Sequence, residues 1–283
     1  MELFRALAVL AEPPSPGSEP VSDALGLDHL PDMSEYTDLF TFQLYPFASV
    51  YLGEEGMLGG EAGDRIAGFW RALGLVPPSE ADHLSVMLAM YAELGGSEDA
   101  ASDALIRTRW RSARKAFLWE HLLSWLPVYL FKMNDIAPPF YQRWGDLLKS
   151  SLIQEADKLG MQEQVSLHLR DTQGLMDPRD VSVEDFLQSL LSPVRSGMIL
   201  VRSDLARAAK RLDLGLRIGE RKFVLKSLFG QNPEGTLDWL VEEATSWAGR
   251  HRLCISALGK TAAIWENKAS AAAKLLGELK MAI

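Results

Sequence analysis

The stretch FLWEHLLSWLPVYLFKMNDIAPPFY, from Phe117 to Tyr141, sets polar side chains inside an otherwise apolar helical face. At helical spacing Phe117, His121 and Trp125 share one stripe, with Leu118, Leu122 and Tyr129 beside it and Glu120 at its edge. A proline inside a helix costs roughly 3 kcal/mol and frees carbonyls one turn back, so Pro127 predicts a kink or break after Trp125. A break there opens one wall of a groove. Pro138 and Pro139 then start another helix, which runs to about Lys158.

Outward from this stretch the same periodicity recurs. It covers residues 2–11, 34–44, 61–73 and 79–94, and returns from about Glu98 into the stretch itself. Further on it covers 183–191, 203–212, 219–229, 233–256 and 259–281, each delimited by Gly, Pro, Ser or Asn. No segment of useful length alternates with period two, so the fold class is all-α. Glu12 to about Glu19 reads as a mobile Pro/Ser/Gly connector. YPFASVYLGEEGMLGGEAG, residues 45–63, carries five glycines among bulky apolar residues and reads as an ordered loop packed on a body. Residues 159–182 are polar, with Gly160, Gly174 and Pro178, and read as a hinge. The expected organisation is a helical region over 1–158, a connector over 159–182 and a C-terminal helical region over 183–283, since a chain this long supports two lobes.

Composition narrows the function classes. Apolar content of 47% with 24% charged residues is that of a globular protein. The single cysteine, Cys254, rules out an internal disulfide and a Cys-based zinc site, and fits a reducing compartment. LLSWLPVYLF at 122–131 falls short of the roughly 20 apolar residues that span a bilayer, and the patch Leu7–Leu10 is too short for an export signal. A cytoplasmic location is expected. The net charge of −9 is unevenly spread: residues 1–100 hold three arginines against seventeen Asp and Glu, and residues 101–283 have a balance of +5. Such an acidic N-terminal surface attracts basic ligands and repels nucleic acid.

Catalytic signatures are missing. The glycines of LGGEAG follow no strand and precede no Gly-Lys-Ser/Thr, so they form no phosphate loop. His29, His83, His121, His168 and His251 show no HExxH spacing, and no Gly-x-Ser-x-Gly elbow is present. No metal site is expected. Two polar sites stand out instead. Asp82-His83, placed by the periodicity in the first turn of a helix, is either a helix cap with a core imidazole or a polar contact surface. His121 beside Trp125 is either a contact residue or a histidine satisfied in the core.

Three segments then resemble, in order and approximate spacing, the TorD/DmsD/NarJ group of redox-enzyme maturation chaperones: 45–63, PPSEADHLSVMLAMYAEL at 77–94, and FLWEHLLSWLPVYL at 117–130. The resemblance covers roughly residues 35–155. It implies an all-helical cytoplasmic protein that is not an enzyme and that binds the catalytic subunit of a molybdenum-containing oxidoreductase, often at its twin-arginine signal peptide. Asp82 and His83 match the last two letters of the group's Glu-Pro-x-Asp-His signature. The first two letters are replaced by Ser79 and Glu80, which bears on the guanine-nucleotide binding proposed for some members; no other cofactor is implied. Tyr51, Glu120, His121, Trp125 and Pro127 match the pattern without a break. The segments SPVRSGMILVRSDLARAA at 192–209 and LGLRIGERKF at 214–223 look like the extension of a longer subgroup.

A twin-arginine leader is a short apolar segment with two guanidiniums at one end, so its receptor needs an apolar groove flanked by acids. Glu80, Asp82, Glu54, Glu55 and Glu120 are the candidate acids, with Tyr51, His83, His121, Trp125 and Pro127 completing the client surface. Two other readings compete. Ser203–Phe229 has the helix lengths and turn of a nucleic-acid-binding helix-turn-helix, and residues 202–226 hold eight bases against three acids. Alternatively, the chain is a stable accessory subunit of an oxidoreductase complex.

Overall fold

A computed structural model describes residues 1–27 and 29–281. Among these the regular structure is helical; the sole β feature is an isolated antiparallel bridge between Phe47 and His83. The all-α expectation holds. The chain divides into two compact units, one of Met1–Ser49 with Leu58–Ser166, the other of Val50–Met57 with Leu167–Ile283.

The first unit is built around the Leu84–Ala100 helix, whose Leu84, Met87, Leu88, Tyr91, Ala92 and Leu94 are all buried. Glu2–Leu10 and Ala104–Phe117 pack against it, while Leu126–Ile136 lies on Pro139–Leu159. Periodicity alone predicts helices over 79–94 and from about 98. The structure instead begins the first at Leu84, carries it to Ala100, and starts the next at Ala104, where the Asp103 carboxylate accepts from the N–H groups of Leu105 and Ile106. That cap fixes the boundary, because it satisfies donors the helix itself leaves open. Trp144 donates its indole N–H to the Leu7 carbonyl at 3.2 Å, tying the Pro139–Leu159 helix to the end of the first. The expected mobile connector contains ordered turns: a 3-10 turn at Pro16–Ser18 runs into the Glu19–Ala24 helix.

Charged groups are buried in this unit as a closed network. The Arg114 guanidinium bonds Glu98 at 2.8 Å and also Glu155, which accepts from the Tyr91 hydroxyl at 2.6 Å and from Lys158 at 2.9 Å. Burial alone raises the Glu155 carboxyl, but hydrogen bonds from Tyr91 and Lys158 and the Arg114 charge together hold it below the usual carboxylate range. Tyr91 and Glu98 are seven residues apart, two turns along one face, so the helix presents both to Arg114.

The second unit rests on an αα-hairpin of two 21-residue helices, Pro233–Leu253 and Lys260–Lys280. His251 lies between Trp247 and Trp265, at ring distances of 5.5 and 5.9 Å, with its Nε2 2.8 Å from the Gly197 carbonyl. Burial pushes the imidazole down to about 4. Gly197 has φ +74°, and a Cβ there would lie 2.3 Å from the Ala269 nitrogen, so only glycine fits. The 159–182 segment, expected as a hinge, includes the Leu167–Asp171 helix, whose Leu169 is buried. Lys268 donates to the Thr172 carbonyl at 2.7 Å, which fastens the residue just after that helix to the hairpin.

Residues 50–57 also pack in this unit. Gln188, Ser192 and Arg195, spaced four and three apart along one side of consecutive helical turns, donate to the carbonyls of Glu55, Gly53 and Glu54. Arg195 also pairs with the Glu54 carboxylate.

Candidate functional site

Asp82 and His83 lie just outside a helix, not in its first turn as periodicity predicts. Asp82 lies in a turn closed by His83 N–H donating to the Glu80 carbonyl at 3.0 Å, and the bridge to Phe47 keeps His83 extended: Ala48 N–H donates to the Asp82 carbonyl at 3.0 Å, and Leu84 N–H donates to the Pro46 carbonyl at 2.8 Å. His83 is therefore the residue that caps Leu84–Ala100, its Nδ1 accepting from Ser85 N–H at 3.3 Å. Asp82 serves a different helix. Its carboxylate accepts from Ser49 N–H at 3.1 Å, at the start of the Ala48–Leu52 helix, 33 residues away in sequence. A carboxylate at a helix N-terminus is favoured by both the open N–H groups and the dipole.

The His83 ring stands edge-on to Phe47 at 4.8 Å, and its Nδ1 is 2.7 Å from the Ser85 hydroxyl and 3.8 Å from the Glu12 carboxylate. Ser85 donates to the same carboxylate. Burial lowers the imidazole below its ordinary 6.5, against the opposing charges of Glu12, Glu80 and Asp82, so it is neutral at neutral pH. Above this braced pair lies an open acidic surface. Glu80 is exposed, the Glu12 side chain is half exposed, and in the loop leading to Glu80, Leu75 and Val76 are 45% and 89% exposed. Glu12 and Ser85 were not among the sequence candidates, because nothing in the chain pattern places residue 12 beside residue 83.

In the opening stretch, Ala104–Phe117 passes into a π-helical turn, Leu118–Leu122, closed by Leu123 N–H donating to the Leu118 carbonyl at 2.8 Å. Leu126–Ile136 then begins afresh, with Trp125 as its N-cap and Pro127 in its first turn. The break occupies residues 123–125, so it begins slightly earlier than expected and ends at Trp125, directly after which the new helix starts. The physical reason is that a first-turn proline has no N–H to satisfy and its φ already suits a helix. The stripe itself forms: Trp125 donates its indole N–H to the His121 carbonyl at 2.8 Å, and Phe69 of the Gly60–Ala72 helix touches Phe117 at 4.9 Å and His121 at 5.3 Å. Trp125 is fully buried, His121 and Pro127 are half-buried, and half-buried Glu120 accepts from Gln162 at 2.6 Å.

Tyr51, Glu54 and Glu55 belong to the second unit, where Tyr51 is buried and Glu54 is engaged by Arg195. The helix pair considered for nucleic acid exists as Arg202–Arg211 and Arg221–Gln231. Half of its eight bases are already committed: Arg207 to Asp204, Arg211 to Glu242, Lys226 to Glu184 and Arg221 to the Leu200 carbonyl. Among the described residues no three His, Cys, Asp or Glu side chains are placed to hold a metal ion, and no helix is long and apolar enough to cross a membrane.

The Asp82-His83 corner is buried, the Phe117–Trp125 stripe forms, and Glu80 and Glu12 are left at the surface beside the corner. Residues 26–130 match the nitrate reductase delta subunit family. This is the NarJ/TorD-type chaperone family, and the resemblance read from the sequence therefore holds over the delta-subunit stretch, which includes Asp82, His83, Glu120, His121, Trp125 and Pro127. It also includes residues 50–57, which pack with the second unit. No curated protein matches the chain, and neither does any solved structure.

Proposed function

We propose that this protein is a non-catalytic cytoplasmic chaperone that receives the catalytic subunit of a molybdenum-containing oxidoreductase, through its twin-arginine leader, before cofactor insertion and export. The family match supports the general role, since the family is one of molybdoenzyme maturation chaperones. The observation that carries the finer reading is the Leu75–His83 loop, where exposed apolar side chains run into exposed Glu80, with Glu12 reaching the same corner. Leader side chains pack on Leu75 and Val76, and its guanidiniums bond Glu80 and Glu12, each charge-assisted bond contributing about 1.5–3 kcal/mol. Glu120 is a further acid within the same unit. Asp82, His83, His121, Trp125 and Pro127 act as the frame beneath this surface, and Tyr51 frames residues 50–57 in the second unit. The proposal involves no nucleotide.

Hydrogen exchange on the full chain tests it. A basic, apolar twin-arginine peptide is expected to protect amides of residues 75–86; protection confined to other segments contradicts the assignment. The family's description as a delta subunit supports one alternative, a stable accessory subunit. A chaperone is lost from mature enzyme in a high-salt wash, and a subunit stays.

A further inference from the structure

The turn joining Arg202–Arg211 to Arg221–Gln231 carries a surface that the proposed chaperone role does not use. Ile218 is 99% exposed, and Leu216 and Phe223 are 52% and 55% exposed. Single exposed apolar residues are ordinary, but three within eight residues, two on the turn and Phe223 at the start of the following helix, mark an interaction surface. The turn is braced at its base. Gln231 donates to the Gly215 carbonyl at 2.9 Å and accepts from Gly215 N–H at 2.8 Å, while Leu214 N–H donates to the Ala209 carbonyl at 2.8 Å. These bonds hold the base of the turn in place and leave its apolar side chains facing water.

The charge around the tip is positive within a chain that is −9 overall. Arg217 and Lys222 flank the apolar side chains, with Lys210 in the last turn of the preceding helix; Asp213 and Glu220 are the acids of the turn itself, and Glu184 and Glu242 are paired with Lys226 and Arg211. Three side chains make a contact far smaller than the roughly 800 Å² per partner of a stable protein interface. A protruding isoleucine also needs a pocket shaped around it on a protein partner, whereas a bilayer surface accepts a convex tip without complementary shape. We propose that this tip docks reversibly on an anionic lipid surface, with Leu216, Ile218 and Phe223 entering the headgroup–acyl boundary and Arg217 and Lys222 meeting lipid phosphates.

Vesicle co-sedimentation of the full chain tests this. The chain is expected to bind phosphatidylglycerol-containing vesicles, to bind pure phosphatidylcholine vesicles weakly, and to release in high salt. Ile218→Asp should weaken binding at least about tenfold, the factor set by burying one large aliphatic side chain. Arg217→Glu with Lys222→Glu should abolish the preference for anionic lipid. These side chains lie at the surface of the turn, so circular dichroism and melting should match the parent. No binding to anionic vesicles, or equal binding by Ile218→Asp, overturns the proposal. So does an Ile218→Asp chain that binds vesicles normally but loses a co-purifying protein, because the tip is then a protein-docking surface. Leader binding at Glu12 and Glu80 is independent of either result.

Discussion

Asp82 and His83 are neighbours in sequence but serve different helices, and this division of labour makes them separable by substitution. Asp82→Ala removes a cap from the Ala48–Leu52 helix and is expected to cost about 1–2 kcal/mol, read as a lowered urea midpoint. Its effect on leader affinity should be indirect, since the carboxylate is already occupied. Arg114→Leu leaves the Glu98 and Glu155 carboxylates buried without their shared cation, and a loss of roughly 3–5 kcal/mol is expected in the same assay. His251 gives a pH signature. Its folded value of about 4 lies below the unfolded 6.5, so the unfolded chain takes up the proton first as pH falls. Its contribution is therefore complete above pH 6.5, declines between 6.5 and about 4, and is lost below; the difference is of the order of 3 kcal/mol. Urea midpoints at pH 7 and pH 4.5 should diverge less in His251→Phe than in the parent. The identity of the Asp82-His83 pair was readable from the chain, but its partners were not. Ser49 and Glu12 approach through tertiary folding, which no local spacing records.

At the scale of elements, the helical periods located most helices, and the departures have physical causes. Helix starts moved where a side chain caps from nearby, as at Asp103, or where a bridge holds residues extended, as at His83. The break near Trp125 was legible from Pro127, but its position was not, because a proline breaks the helix before it and favours the helix after it. Pro127→Ala is expected to change stability by less than about 1 kcal/mol with no gain in helical signal by circular dichroism, since the π-helical turn upstream ends the preceding helix on its own. Gly197→Ala should be far more damaging. The added Cβ meets Ala269 backbone at a left-handed φ, and a loss above about 2 kcal/mol is expected from thermal melting.

For the whole molecule, the acidic character of the first hundred residues was legible as a count, and two helical regions were anticipated. What the chain pattern did not reveal is that residues 50–57 leave the surrounding family-matched stretch to pack in the second unit, where the stripe of Gln188, Ser192 and Arg195 grips their carbonyls. Those bonds join residues more than 130 positions apart, a separation at which periodicity carries no information. As a result Glu54 and Glu55, equal candidates with Glu80 by charge alone, are assigned to a different unit. Under the proposed function, the client surface is then narrowed to the outer side of the Asp82-His83 corner. Calorimetry of a twin-arginine leader against the parent chain and a Glu12→Gln, Glu80→Gln double variant tests this most directly. An affinity reduced at least about tenfold, with a weaker dependence on salt and an unchanged melting temperature, is the expected result; equal affinity at every salt concentration would contradict it.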